Sequence, residues 1–108
     1  MSDNFSDNAA RVIDEEAPKL RAATKASKAL FQRAVKHMPL GVASSFQAGD
    51  PYPIYLAKGM GGHVWDVDGT EYVDFHGGFG CNVVGHAHPK IVEAIDRAAR
   101  TGTHFAVT

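Results

Sequence analysis

The chain lacks the features that would place it in several classes of protein. It has 108 residues and a single cysteine, Cys81, so no disulfide can form within it, and we expect a reducing, cytoplasmic compartment. It has no run of about 18 apolar residues, which a membrane-spanning helix needs. Its acidic N-terminus lacks the apolar segment of a secretory signal. The sequence therefore predicts neither membrane insertion nor secretion.

The chain also has too little net charge to favour nucleic acid or an anionic membrane as a partner. Its formal net charge is -1 at pH 7, so no strong field surrounds it. The charged side chains of residues 1–17 are mostly acidic, whereas residues 18–38 carry six lysines and arginines and no acidic residue. Because the basic face has no aromatic side chains for stacking, we interpret it as a solvated helix face.

Hydrophobic spacing predicts a leader, one long helix and a loop in the first half. Residues 1–17 are expected to form a flexible acidic leader, disordered or loosely helical. Over residues 19–38 the apolar positions recur at three- and four-residue intervals, which predicts an amphipathic helix with Pro18 in its first turn. Residues 41–53 are rich in turn-forming residues and predict a loop.

Three short strands are predicted next, at residues 54–58, 63–67 and 70–75. Between the last two, Asp68-Gly69 is a strong signal for a two-residue hairpin turn, in which both central residues have positive φ. The three strands would form an antiparallel meander. Beyond it, a second amphipathic helix is predicted, and the fold class is therefore α/β.

A glycine-rich passage lies between the meander and the second helix. Gly77, Gly78 and Gly80 surround Phe79. Three interpretations stay open at this point. The glycines could cradle a phosphate, allow a bulge or close backbone approach at the strand exit, or leave clearance for a ligand above the aromatic ring.

The histidines near this passage are candidates for metal binding or nucleophilic catalysis. His76, His86, His88 and Cys81 could supply metal ligands, and the thiol could pair with a histidine base. Two histidines at i, i+2 with no further ligand motif support a metal only weakly, and we expect none. We interpret one histidine as the cap of a helix whose first residue is Pro89, the other as packing on the glycine-rich turn, and the cysteine as a buried small hydrophobe.

An early helix, a loop, a meander with an aspartate-x-aspartate-glycine turn, and a glycine–histidine–x–histidine–proline helix start follow one another in this chain. The segments are Leu30 to Met38, Gly41-Val42-Ala43-Ser44, Trp65-Asp66-Val67-Asp68-Gly69 with Tyr72 and Asp74, Gly85-His86-Ala87-His88-Pro89, and Gly102-Thr103-His104-Phe105. This series resembles the class III (subgroup II) pyridoxal-phosphate aminotransferases, and most of all their glutamate-1-semialdehyde aminomutase-like branch. The resemblance covers residues 30–108.

The resemblance implies the N-terminal part of a fold-type I, homodimeric enzyme that uses pyridoxal 5'-phosphate. Such an enzyme transfers an amino group between an amine or amino acid and a carbonyl compound, as a transaminase or as an isomerase. Residues 18–84 would belong to the small domain, and residues 85–108 would start the large cofactor-binding domain. The family's Schiff-base lysine would lie downstream. We therefore expect no catalytic residue and no identifiable cofactor contact here, a surface position for Lys90, and no activity of the isolated chain.

The resemblance also implies three residues of a substrate pocket. Ser44 matches a family serine, and Phe79 stands where the family has a tryptophan beside the glycines. Gln47 stands where the aminomutases have an arginine that grips the substrate carboxylate. Because a neutral amide cannot make that bidentate charged contact, the sequence favours an aminotransferase with another amine donor. Two alternatives stay open: a truncated, non-catalytic dimerisation or interaction fragment, and a small histidine-based metal module.

Overall fold

The computed structural model describes residues 3–104 and divides into two compact units. The first comprises the described residues up to Tyr55 together with Asp66–Thr70, and the second comprises Leu56–Trp65 and the described residues from Glu71 onwards. In chain order the elements are α1 (Asp3–Ala23), α2 (Lys25–Ala34), two 3-10 turns (Pro39–Gly41 and Ser45–Gln47), β1 (Leu56–Met60), β2 (His63–Asp66), β3 (Glu71–Val73), a single turn α3 (Gly77–Gly80) and α4 (Pro89–Ala99). Phe105 and the rest of residues 105–108 lie outside the described residues.

The prediction of one helix over residues 19–38 is wrong in its bounds. Two helices occupy this region and its upstream flank, and Pro18 lies inside α1 rather than in its first turn. The break falls at Thr24, whose φ of -118° and ψ of 45° are not helical. Its hydroxyl donates to the Leu20 carbonyl at 2.7 Å and, with its proton so engaged, accepts from the Tyr52 hydroxyl at 3.0 Å. Because Thr24 is 1% exposed, these bonds satisfy a buried hydroxyl and hold the break in place.

The start of α2 is capped from the hairpin loop, not by its own N-cap residue. The N-cap Thr24 makes no side-chain capping bond. Instead, Asp68 accepts the backbone N–H of Ala26 at 2.6 Å and that of Ser27 at 2.9 Å, one with each carboxylate oxygen. A carboxylate at this position satisfies orphan donors and matches the positive end of the helix dipole. The fully buried Ser27 hydroxyl in turn accepts from the Tyr55 N–H at 3.3 Å.

The hairpin between β2 and β3 has a three-residue loop, so the predicted two-residue turn is wrong. Asp66 donates its N–H to the Thr70 carbonyl at 3.0 Å and accepts from the Gly69 N–H at 3.1 Å. In this loop only Gly69 has positive φ, at 91°, which is the pattern of a type I turn followed by a left-handed residue. The Asp66 carboxylate accepts from Asp68 N at 3.0 Å and Thr70 N at 2.8 Å, and these two bonds favour the wider loop.

The predicted three-stranded antiparallel meander is confirmed, with strand order β1-β2-β3. The strands begin up to two residues later than predicted, and β3 is only three residues long. In β2 and β3, Val64 pairs with Tyr72 and Trp65 pairs with Glu71. The α/β fold class is also confirmed, since α1, α2 and α4 accompany this sheet.

Few apolar side chains are buried within the described residues. The buried apolar side chains there are those of Tyr52 and Pro53 in the first unit and Val64 in the second. On α4, Ile91, Val92 and Ile95 are 48%, 51% and 62% exposed, although their spacing marks one helix face. Across residues 3–104, no helix is both long and apolar enough to cross a membrane.

Candidate functional site

The glycine-rich passage forms a turn of unusual backbone conformation. Gly78 has φ 61° and ψ 48°, and Phe79 has φ 59° and ψ 36°, so both lie in the left-handed region. Gly77 and Gly80 also have positive φ. Glycine adopts this conformation without penalty, whereas a residue with a Cβ pays about 1–2 kcal/mol for it. The left-handed backbone of this turn therefore accounts for the glycines. Phe79 is held in a backbone conformation that a residue with a Cβ disfavours.

Asp74, directly after β3, holds the start of this turn. Its Oδ1 accepts the backbone N–H groups of His76 and Gly77, both at 2.9 Å, and its Oδ2 lies 2.6 Å from Nε2 of His86. The hydrogen bond from His86, followed by those from Gly77 and His76, lowers the pKa of Asp74 from 3.8 to about 2. The carboxylate is 13% exposed, so it stays charged at neutral pH while largely covered by its donors.

His86 is fixed on the opposite side of this hydrogen bond. The Asn82 side-chain amide lies 3.3 Å from Nδ1, so Nδ1 accepts and the Nε2 proton points to Asp74. The ring occupies the space beside Gly59, where an added Cβ would come within 2.6 Å of the ring Cγ. Its backbone exchanges two hydrogen bonds with Gly61, at 2.9 and 2.7 Å. The ring and the backbone of His86 are thus both anchored to the strand β1 and the turn that follows it.

His76 contacts the aromatic residue of the turn. Its Nδ1 accepts the Phe79 N–H at 3.2 Å, and the two rings meet edge to face with centroids 4.2 Å apart. An edge-to-face arrangement of this kind stabilises a pair of aromatic rings beyond the effect of the area that the pair buries. Phe79 nevertheless remains 69% exposed. The turn therefore presents an aromatic side chain to the surroundings on a well-ordered backbone.

Predictions for the remaining histidine and for the cysteine are only partly right. Pro89 is the first residue of α4, as predicted, and His88 is its N-cap residue, but His88 makes no side-chain capping bond. Its buried Nδ1 has no hydrogen-bond partner among the described residues. Cys81 is exposed, not buried. Within residues 3–104, no group of three or more His, Cys, Asp or Glu side chains could hold a metal ion.

The two other predicted pocket residues lie on one 3-10 turn of the first unit. Ser44 is the N-cap of Ser45–Gln47, and its hydroxyl accepts the Phe46 N–H at 3.4 Å. Gln47 is exposed at the end of the same turn. The structure therefore places Ser44 and Gln47 together, whereas Phe79 belongs to the second unit.

The described residues do not on their own fit a pyridoxal phosphate site. A Schiff-base lysine needs a desolvated or cationic environment that lowers its pKa. All lysines of the chain are exposed; they are Lys19, Lys25, Lys28, Lys36, Lys58 and Lys90. Lys19 is paired with Glu16 and Lys58 lies over the Trp65 ring. The surface position predicted for Lys90 is confirmed.

Comparison with known sequences gives a match to a family model described as Aminotransferase class-III, over residues 45–108. The chain is also similar to glutamate-1-semialdehyde 2,1-aminomutase 2 of Anoxybacillus flavithermus, with 45% identity over 82 residues. That alignment covers 73% of this chain and 19% of the relative. The chain thus spans about a fifth of the length of this curated relative.

Solved structures are similar over most of the described residues. A β-phenylalanine aminotransferase from Variovorax paradoxus has a TM-score of 0.81 at 28% identity, covering 91% of this chain and 23% of that one. A structure described as a transaminase with PLP bound has a TM-score of 0.72 at 44% identity, covering 78% of this chain and 20% of that one. The predicted relation to fold-type I aminotransferases is confirmed.

Proposed function

The chain belongs to the class-III aminotransferase family, and on that premise we propose that it is the N-terminal part of a longer enzyme, the parent enzyme. The parent enzyme transfers an amino group between an amine or amino acid and a carbonyl compound. The observation that carries this proposal is the match of residues 45–108 to the family model. Because the chain spans about a fifth of its curated relative, the activity is assigned to the parent enzyme, and the isolated chain is expected to be inactive.

Pyridoxal 5'-phosphate is the proposed cofactor, and it supplies an electron sink for amino-group chemistry. The similar transaminase with PLP bound supports this assignment. Since all lysines of this chain are exposed, the lysine that holds the cofactor is assigned to a part of the parent enzyme outside this chain. We further propose a cytoplasmic homodimer that acts on small molecules, as the family resemblance implies.

Ser44, Gln47 and Phe79 are the proposed contributions of this chain to the substrate pocket. All three are exposed in the described structure and are therefore accessible to a ligand. Gln47 can donate and accept hydrogen bonds but cannot neutralise a carboxylate. This favours transamination with an amine donor over the aminomutase reaction of the curated relative, whose name specifies glutamate-1-semialdehyde.

Amino-group transfer by the parent enzyme tests this proposal. The enzyme is incubated with pyridoxal phosphate, a panel of amines and amino acids, and a keto-acid acceptor, and the aminated acceptor is quantified. Turnover that depends on added cofactor is expected, and the 108-residue chain in a parallel reaction should give none. Failure of the parent enzyme with every donor, despite bound cofactor, would refute the assigned reaction.

The exposed apolar face of α4 gives the alternative function some support. Ile91, Val92 and Ile95 are each about half exposed or more, and such a face needs a covering partner. A truncated chain that serves in dimerisation or interaction would show concentration-dependent assembly in sedimentation experiments without binding pyridoxal phosphate. A monomer at all concentrations would exclude this alternative.

A further inference from the structure

We propose that His86 and Asp74 are positioning residues that fix the direction of the Phe79 side chain at the substrate pocket of the parent enzyme. This inference rests on the proposed function, which assigns Phe79 to that pocket. It goes further by naming the two groups through which the rest of the second unit controls the position of this ring.

The backbone conformation of Phe79 is not one that this residue adopts by itself. Its φ of 59° is disfavoured for a residue with a Cβ, and such conformations persist only where surrounding contacts enforce them. The flanking Gly78 and Gly80 are also at positive φ and can adopt many others. The direction of the ring must therefore be set by groups that hold the turn from outside.

Asp74 and His76 are the groups that hold the turn. Asp74 Oδ1 accepts the two consecutive N–H groups of His76 and Gly77 at 2.9 Å, which fixes where the turn begins. His76, oriented by this start, accepts the Phe79 N–H at 3.2 Å and packs against its ring at 4.2 Å. A shift of the Asp74 carboxylate is thus passed to Phe79 through a continuous series of contacts.

His86 fixes the position of the Asp74 carboxylate. Its second oxygen is 2.6 Å from His86 Nε2. The histidine cannot follow a moving carboxylate, because its ring lies against Gly59 and its backbone is paired twice with Gly61. Asp74 also donates its own N–H to the Gly62 carbonyl at 2.8 Å. The His86–Asp74 bond therefore helps to fix the position of the turn relative to the sheet.

A double-mutant cycle in the parent holoenzyme separates positioning from a general loss of structure. The variants are His86→Phe, which keeps a ring and removes the donor, Phe79→Ala, and both together. kcat/KM for an accepted amine donor is measured per bound cofactor. If His86 acts through Phe79, the His86 change should lower kcat/KM by on the order of tenfold in the wild-type background. In the Phe79→Ala background, the same His86 change should alter kcat/KM by less than about twofold.

A purely stabilising role of His86 predicts a different result. If His86 merely stabilises the protein, its change should lower kcat/KM by the same factor in both backgrounds, and that result would overturn the proposal. Phe75→Ala serves as the matched control, because Phe75 is an aromatic residue near the same turn and 96% exposed. In its background the His86 change should keep its full tenfold effect. A wild-type parent enzyme without transfer activity would refute the proposed function itself.

A second pair of variants keeps the test valid if His86→Phe does not fold. Glutamine can place an amide nitrogen near the position of Nε2, whereas the shorter asparagine cannot. His86→Gln should therefore retain kcat/KM within about threefold, and His86→Asn should lose on the order of tenfold, with kcat falling more than KM rises. Equal activity of these two variants would overturn the proposal, since the Nε2 donor would then be immaterial.

Discussion

Two aspartates perform the same chemistry in the two units, with different consequences. Asp68 accepts two consecutive backbone N–H groups, of Ala26 and Ser27, which are 42 and 41 residues away in sequence. Asp74 likewise accepts two consecutive N–H groups, but those of His76 and Gly77 lie two and three residues away. The first aspartate joins distant parts of the chain, and the second shapes a local turn.

The difference shows how one motif serves either folding or a site. Asp68 caps α2, a regular helix with unstrained backbone, so its bonds contribute to the fold. Asp68 also has a side-chain hydrogen bond with Ser27, which belongs to the helix that it caps. The side-chain partner of Asp74 is instead His86, at 2.6 Å, and the turn that Asp74 holds contains Phe79 in a conformation that this residue disfavours. We infer that the His86–Asp74 bond serves to position this turn, whereas the bonds of Asp68 serve to stabilise the fold.

Replacing Gly85 should have the largest effect on the second unit. Gly85 has φ 80°, and an added Cβ would lie 2.7 Å from the Gly61 carbonyl oxygen, which is backbone and cannot step aside. Gly85→Ala should cost about 3 kcal/mol of local stability through strain and overlap. Amide hydrogen exchange of Gly61 and His86 in the parent enzyme should accelerate by on the order of 100-fold. Unchanged exchange would show that this pairing is not the anchor of His86.

The corresponding glycine replacement in the first unit should lower the stability by a smaller amount. Gly41 has φ 68°, and an added Cβ would lie 2.9 Å from the edge of the Phe31 ring, which can rotate away more easily than backbone. Gly41→Ala should cost about 2 kcal/mol, seen as faster exchange of the Tyr55 amide, which donates to Ser27. A cost larger than that of Gly85→Ala would reverse the comparison between the units.

Gln47→Arg tests whether the first unit also takes part in substrate binding. An arginine can form the bidentate contact with a carboxylate that glutamine cannot. In the parent enzyme, KM for carboxylate-bearing substrates should fall about tenfold, equivalent to about 1.4 kcal/mol, while KM for amines without a carboxylate stays the same. Equal KM values across such substrates would mean that this turn does not face the pocket.

Acid should have the smallest of these effects, since it weakens the hydrogen bonds of Asp74 only far below neutral pH. Because hydrogen bonds lower the folded-state pKa of Asp74 from 3.8 to about 2, its contribution to stability is fully present above about pH 4. It is lost as the pH falls through about 2. Hydrogen exchange of the 74–80 segment, corrected for intrinsic rates, should rise in that window. In Asp74→Asn this pH dependence should disappear, and its persistence would assign it to another group.

Asp68 shows how competing causes set the direction of a pKa. Burial raises the pKa of this carboxyl, but the hydrogen bonds from Ala26 and Ser27 together outweigh it, and the pKa lies below 3.8. Its cap is therefore also lost only in acid. The same direction in both aspartates follows from the shared geometry of a carboxylate that accepts backbone N–H groups.

Elements with a local cause could be predicted from the sequence. The order of the three strands, the start of α4 at Pro89 and the loop character around Ser44 follow from alternation, proline geometry and turn residues. The helix break at Thr24 could not be predicted, because it depends on a hydrogen bond with Tyr52 that is 28 residues away. The three-residue hairpin loop, by contrast, has a local cause in the Asp66 carboxylate, which accepts from Asp68 N and Thr70 N.

At the glycine-rich turn, the sequence draws attention to Phe79 but not to the hydrogen bonds that connect Asp74 and His86. Phe79 was singled out from the glycines around it, whereas Asp74 entered only as part of a family motif. No local pattern could reveal that Asp74 and His86 meet, since 12 residues and a turn of left-handed backbone separate them. An aspartate directly after a strand and before consecutive glycines is the signal that could have found the first half of this pair.

Comparing Phe79→Ala with Phe75→Ala in the parent enzyme tests the central claim most directly. Phe79 lies in this turn and Phe75 lies just before it, but only Phe79 is assigned to the substrate pocket. We predict that kcat/KM for an amine donor falls on the order of tenfold in Phe79→Ala and is unchanged in Phe75→Ala. Equal kcat/KM values for both variants and the wild-type enzyme would contradict the claim that this turn places an aromatic wall beside the substrate.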